Sequence, residues 1–375
     1  MNRSREVPMA RITAFVMALL VLAAAQGPGE ASPRVVTLGL QAPFSGPLSK
    51  QGRDLEAAVR MAIDEANAET RPGTPIFVLR RGDDKGDPRE GLLAARHLLA
   101  SGVAGVVGPW NSGVTLPVVS EVYGPAGLPV LTMSTHPKIT ERGWSNVFRV
   151  IGRDDRQGRI AASEALKLGL RTAVVLDNRG AYGKGLADRF AEAFEAGGGR
   201  VLSRESFATG EADRGPLLAR ARALGPRLLY LACEYQDAGP LVRQWRRLGT
   251  ASTRVLAGDA VCDPLFVRLA GTKAAEGTML TFPEPADARF EARLRNRGVT
   301  PGAFSGHAYD AARLLIEAIR SAGPGAGRKA VVARLAAVRD HRGATGLISF
   351  DAKGDLRRAG FALWQVRDGR FQVLR

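Results

Sequence analysis

The sequence predicts an α/β protein built from two Rossmann-like lobes, each a parallel-rich sheet covered by helices. From residue 35 to about residue 280, short β-branched runs alternate with longer helical patterns, the rhythm of parallel α/β units. The alternation comes as two successive series that break after Arg149, and the tail beyond them turns antiparallel. Length agrees, because the 344 residues that follow the first 31 of this 375-residue chain are too many for one ordinary core and suit two.

The N-terminal segment stands apart. Arg3, Arg5 and Arg11 precede an uncharged run of 14 residues, Ile12 to Ala25, and small residues at Ala23-Ala24-Ala25 and Gly29-Glu30-Ala31 offer two places for a cut. A spanning helix needs roughly 20 apolar residues, so a cleaved secretory signal peptide over residues 1–31 and a periplasmic location are expected. Met9 offers an alternative start that keeps the charged region. No cysteine near the cut suggests a lipid anchor.

In the first series, 35–40, 76–79, 103–107 and 129–132 read as strands. Between them, 52–70 places Leu55, Val59, Ala62, Ile63 and Ala66 on one helical face, and 87–101 does the same with Leu92, Ala95 and Leu99. The second series has strands at 173–176, 200–203, 228–232 and 254–257, separated by helices near 156–168, 183–197, 213–224 and 237–248. Helical patterns at 304–321 and 328–338 follow, then strands at 346–351, 361–366 and 371–374, with Arg367-Asp368-Gly369 as a hairpin turn. A tail returning to both lobes implies three hinge crossings, near 150–153, 281–283 and 344–346. Lobe one is then 34–151 plus 283–344, and lobe two 152–282 plus 345–375.

Composition narrows the function. The chain carries 53 Lys and Arg against 37 Asp and Glu, a net charge of +16, which loss of three Arg and two Glu with the leader takes to +15. Its arginines, typified by Arg220, Arg222, Arg243, Arg246 and Arg247, are scattered on predicted helix faces without regular aromatic interleaving or a basic tail. They read as solvated charge, and no nucleic-acid partner is expected. The four histidines (His97, His136, His307 and His341) lack metal-ligand spacing with other His, Cys or Glu, so no metal is expected. No Gly-x-Ser-x-Gly elbow occurs, and Gly180-Ala-Tyr-Gly-Lys-Gly185 has the wrong spacing for a phosphate loop. Gly323 to Gly327 has no preceding strand and reads as a loop. An enzyme is not expected, nor a cofactor. Cys233 and Cys262 are able to pair only if the fold brings them within bonding range.

The most informative stretch is Val106 to Val118, Val-Val-Gly-Pro-Trp-Asn-Ser-Gly-Val-Thr-Leu-Pro-Val. A strand breaks at Gly108-Pro109, and Asn111 or Ser112 stands where a helix begins, offering a hydroxyl and backbone N–H groups to an anion. Lacking Gly-x-Gly-x-x-Gly and any Gly-Lys-Ser/Thr ending, it suits a small carboxylate rather than a nucleotide.

Five motifs then follow in order: Phe44-Ser-Gly-Pro47; Gly82-Asp-Asp84 with Asp87-Pro88; Gly108 to Gly113; Thr135-His-Pro-Lys-Ile-Thr140; and Asp177 to Ala187. With Asp351-Ala-Lys-Gly-Asp-Leu356 near the end, the chain resembles, over its whole mature length, the periplasmic leucine/isoleucine/valine-binding proteins of ABC transporters, which have the type I periplasmic-binding-protein fold. The resemblance implies a monomer that binds an amino acid or similar small carboxylate between its lobes and delivers it to permease subunits in the inner membrane. It assigns the ligand carboxylate to Ser112, the backbone of Met133 and Thr135, with Ser134 between them. It assigns the ammonium to Asp259, the covering aromatic to Tyr182 and a pocket-side aromatic to Phe304.

Departures bear on specificity. Where relatives often carry a Tyr, the chain reads Glu234-Tyr235; spacing puts Glu234 in that place, and a shift of one residue restores Tyr235. Trp110 stands where a smaller apolar residue often lines the pocket. Both leave room for an aromatic acid, an amide or a urea-like solute; separately, a module that reports ligand to a signalling receptor is an alternative to transport. The first-lobe cysteine pair of some relatives is missing.

Overall fold

The computed structural model describes residues 34–69, 71 and 73–374, and the segment expected to be a signal peptide lies outside them. The first sheet contains β1 (Val35–Ala42), β2 (Ile76–Asp83), β3 (Val106–Val107), β4 (Val130–Thr132) and β5 (Val147–Arg149), all parallel in the order β2-β1-β3-β4-β5. Most of β1 is buried, as a central parallel strand covered on both faces requires. α1 (Ser49–Ala68) buries Leu55, Val59, Ala62, Ile63 and Ala66, the face its periodicity predicts. α2 (Pro88–Ala100) starts where Asp87 accepts from the Arg89 and Glu90 amides and Pro88 pre-sets φ. α3 (Ser112–Val118) runs into a π-helical turn at Val119–Tyr123, and α4 (Lys138–Glu141) precedes β5.

The chain then builds a second layer of the same kind. α5 (Asp154–Lys167), α6 (Ala181–Ala196), α7 (Gly215–Ala223), α8 (Tyr235–Arg247), α9 (Pro264–Ala270) and α10 (Thr272–Ala275) alternate with β6 (Thr172–Asp177), β7 (Arg200–Ser206), β8 (Leu228–Ala232), β9 (Arg254–Ala257) and β10 (Met279–Phe282). α11 (Ala288–Asn296), α12 (Ser305–Ala322) and α13 (Arg328–Ala336) return to the first sheet, where Tyr309 Oη of α12 donates to Glu65 of α1 at 2.6 Å. The last strands are β11 (His341–Gly343), β12 (Gly346–Ile348), β13 (Ala362–Arg367) and β14 (Arg370–Val373). The second sheet reads β14-β13-β10-β9-β8-β6-β7, parallel from β6 to β10 and antiparallel at β13 and β14. Asp368 and Gly369 both have positive φ, the signature of a tight two-residue hairpin. No helix among the described residues is long and apolar enough to cross a membrane.

The third crossing lies elsewhere than expected. β12 pairs with β11 in a two-stranded ribbon and not with the second sheet. The residues after it stay with the first sheet: Arg149 N donates to Gly354 O at 2.8 Å, and the buried Arg149 guanidinium meets Asp355 at 2.7 Å. Residues 346–356 therefore belong with the first lobe, and the chain crosses at 357–361, just before β13. The strand pattern at 346–351 says nothing of which sheet it joins; a distant guanidinium needing a counter-charge decides it. Cys233 and Cys262 are both buried and free.

Candidate functional site

The carboxyl ends of the two sheets face each other, as expected of open α/β layers that bind ligands outside those ends. On the first lobe the chain turns sharply after β3. Gly108 has φ +95°, and a Cβ there would lie 2.2 Å from Gln41 O, so only glycine passes. Asn111 caps α3 by accepting from Gly113 N at 2.8 Å, which leaves Ser112 as the first helical residue, facing the cleft.

After β4, Met133 and Thr135 also line the cleft, and Ser134 between them does not. Its hydroxyl donates to Trp110 O at 2.8 Å and shares a 2.5 Å hydrogen bond with Thr115 Oγ1, tying the two loops together. Arg149, fully buried, supports the same loop from below. Its Nη1 donates to Ser134 O at 2.6 Å and His136 O at 3.0 Å, and its Nη2 to Thr140 Oγ1 at 2.9 Å. The carbonyls flanking Thr135 are thus fixed by one planar fork.

The second lobe contributes acids and a phenol. Tyr182 Oη donates to Asp259 Oδ1 at 2.7 Å and accepts from Ala260 N at 3.3 Å. Gly258 makes this possible, because a Cβ there would lie 2.3 Å from the Tyr182 oxygen. Burial holds the Asp259 carboxyl above its usual pKa, against the hydrogen bond from Tyr182. Beside it Asp154, at the start of α5, is wholly buried and both its carboxyl oxygens lack a hydrogen-bond partner. Burial, and then the Asp259 charge, push Asp154 up to about 8.

Glu234, immediately before α8, bridges the lobes. It accepts from Asn111 Nδ2 of the first lobe at 2.9 Å and from Asn178 Nδ2 of the second at 2.5 Å, and burial raises its pKa. Tyr235 is buried one residue further into the helix, outside the cavity, with its hydroxyl unpartnered. The structure thus brings eight of the ten expected residues around one narrow cavity of about 20 Å³ and leaves Ser134 and Tyr235 behind its wall. Trp110 and Phe304 form an apolar side, edge to face at 5.5 Å and 76°, with Phe282 against Phe304 at 5.2 Å.

Asn111 and Ala260 line the cavity as well. Asn111 was legible as a helix start beside an anion seat, and its hydrogen bond to Glu234 across the cleft was not. Asp154 and Arg149 carried no local signal. A second bridge closes the rim, where Lys50 Nζ of α1 meets Asp263 at 2.9 Å and Asp54 at 2.5 Å. Despite burial, the hydrogen bonds to these two carboxylates hold the Lys50 pKa above its usual value.

A family model described as periplasmic binding protein matches residues 35–370. The chain is 33% identical over 343 residues to the Leu/Ile/Val-binding protein BraC3 of Rhizobium johnstonii, a match spanning 89% of this chain and 92% of that protein. Among solved structures, the leucine binding protein LivK from Thermotoga maritima superposes with a TM-score of 0.83 at 26% identity, covering 91% of this chain and 98% of that one. The branched-chain amino acid transporter substrate binding protein LivJ from Streptococcus pneumoniae, in complex with isoleucine, gives 0.82 at 25% identity with the same coverage.

Proposed function

The chain belongs to the periplasmic binding protein family, and from that premise we propose that it captures an amino acid or similar small carboxylate between its lobes and delivers it to the permease of an ABC importer. It is a binding protein and not an enzyme. One observation carries the ligand class: a single cavity has the hydroxyl-bearing Ser112 and Thr135 on one lobe and the carboxyl groups of Asp259 and Glu234 on the other. In this reading Ser112, Thr135 and the Met133 backbone take the ligand carboxylate, Asp259 takes the ammonium, and Tyr182 packs over the ligand. Charged hydrogen bonds of this kind contribute roughly 1.5–3 kcal/mol each.

A cavity of about 20 Å³ is scaled to a single water. A ligand therefore enters only when the lobes part, and a molecule bonded to both lobes favours their closing again. The names of the relatives supply the amino-acid class. Trp110 and Phe304 supply a second reading, because their edge-to-face pair presents an apolar wall that also suits an aromatic acid or amide.

A thermal-shift screen followed by calorimetry separates the two. Branched-chain and other amino acids are run beside aromatic acids and their amides; a ligand at about 100 times its Kd raises stability by about 2.7 kcal/mol. Stabilisation by amino acids supports the first reading. Stabilisation only by acids without an amine replaces it with the second. For export, N-terminal sequencing of the protein from a periplasmic fraction is expected to find a cut within the first 31 residues.

A further inference from the structure

At the end of the second sheet opposite the cleft lies a separate pocket of about 610 Å³. Arg254 opens β9, Gly277 precedes β10, and Arg243 to Arg247 close α8, so the pocket sits at the amino ends of β9 and β10, while Asp259 follows the carboxyl end of β9 and Glu234 precedes the start of α8. Its charged lining is Arg243, Arg246, Arg247, Arg254 and Lys273 against a single carboxylate, Glu276.

What sets these cations apart is that five of them share one concavity. Some arginines elsewhere are matched, as Arg293 is with Glu65, Arg297 with Asp64 and Arg214 with Asp237. Among the described residues no carboxylate comes within ion-pair distance of any of these five. Arg246 spends its Nη1 on the Thr250 and Thr253 carbonyls at 2.8 Å each, which fixes it in the wall without neutralising it. Burial, and then the like charge of Arg254, lower its pKa, so the pocket holds a repulsion that an anion would relieve. The arginines that the sequence scatters along one helix and the next strand are thus gathered by the fold around one concavity.

We propose that this pocket binds a phosphate-bearing anion. Planar guanidinium forks pair with phosphate oxygens two at a time, and a volume within the ordinary range for small-ligand sites accommodates a phosphate and the group attached to it. Ala251, Ala270 and Ala274 give that group an apolar floor. No aromatic side chain lines the pocket, so there is no platform on which nucleic-acid bases would stack. The anion is either the headgroup of an anionic phospholipid or a free phosphorylated solute. The site is independent of the cleft and of any ligand bound there.

The test uses the full mature chain with three probes: inorganic phosphate and pyrophosphate in calorimetry, and phosphatidylglycerol vesicles in co-sedimentation, with phosphatidylcholine vesicles as reference. Saturable binding of pyrophosphate or of phosphatidylglycerol is expected, weakened about tenfold or more in R243A/R247A/R254A. The comparison variant R80A/R171A/R358A removes the same charge from three exposed arginines outside the pocket and is expected to keep the binding. Circular dichroism melts of both variants confirm that each is folded. Binding of vesicles alone identifies the lipid headgroup, and binding of pyrophosphate or phosphate alone identifies a soluble ligand; either supports the site. Absence of saturable binding to all three probes, or equal loss in the two triple variants, overturns it.

Discussion

With Tyr182 donating to one of its oxygens and burial opposing its charge, Asp259 has most to gain from a cation entering the cleft. Asp259→Asn keeps the shape and removes the charge, so calorimetry with the amino acid that the screen identifies is expected to show a loss of about tenfold or more. Unchanged affinity would remove Asp259 from the site. Asp154 gives a pH dependence. Its folded pKa of about 8 stands above the ordinary carboxylate range, so the folded chain holds the extra proton between roughly pH 4 and pH 8. Stability contributed by that proton is present at low pH and is lost as pH rises through the window. Asp154→Asn is expected to remove this slope, adding about 1 kcal/mol or more at pH 8 and little at pH 4, as read by urea denaturation at both. Ser112, Thr135, Tyr182 and Asp259 were legible as single letters after strand ends. Asp154 was not, because its proximity to Asp259 arises only when α5 and the loop after β9 are packed together. Glu234 and Tyr235 were ambiguous by spacing. The start of α8 resolves them, since Glu234 keeps an extended backbone aimed across the cleft while Tyr235 turns into the helix.

The elements that the sequence marked most clearly are those with continuous buried runs: β8 and β9 begin and end where their apolar patterns do. β5 and β10 were missed. The first is three residues long and ends in a buried arginine, and the second reads as a hinge because Pro283 follows it directly. α11 was missed as well, since only Phe290 and Leu294 of its nine residues are buried and no apolar stripe forms. The segment after β12 shows what an element scale adds, because Arg149 on β5 fastens both that segment and the loop bearing Thr135. Arg149→Met leaves Asp355 buried with only Arg153 and Thr140 as polar partners. Breaking a buried pair in this way costs about 3–5 kcal/mol, so a clear fall in the denaturation midpoint is expected, accompanied by weaker ligand binding. A midpoint unchanged from that of the parent chain would show that the pair contributes nothing net.

At the scale of the molecule, two series of strands in the sequence gave two sheets in space, and a misplaced third crossing is the part that local pattern was unable to supply. The lobes touch through polar bridges, Lys50 to Asp263 and Asn111 to Glu234, which lie where a hinge motion would break them. Lys50→Met is expected to shift the ligand-free protein toward the open form, seen as a larger radius of gyration in solution scattering and as weaker ligand affinity. Saturating ligand is expected to restore the compact form, and identical scattering of the two free proteins would show that the bridge does not hold the lobes. The order in which the second sheet is completed has its own consequence. β13 lies between β10 and β14, so β10 receives its outer neighbour only from chain that follows β10, three helices and a ribbon. A polypeptide emerging amino end first from a ribosome or a membrane pore therefore carries a bare β10 edge while the stretch from Phe282 to Ala362 follows it out. During that interval the molecule most depends on whatever keeps nascent chains apart.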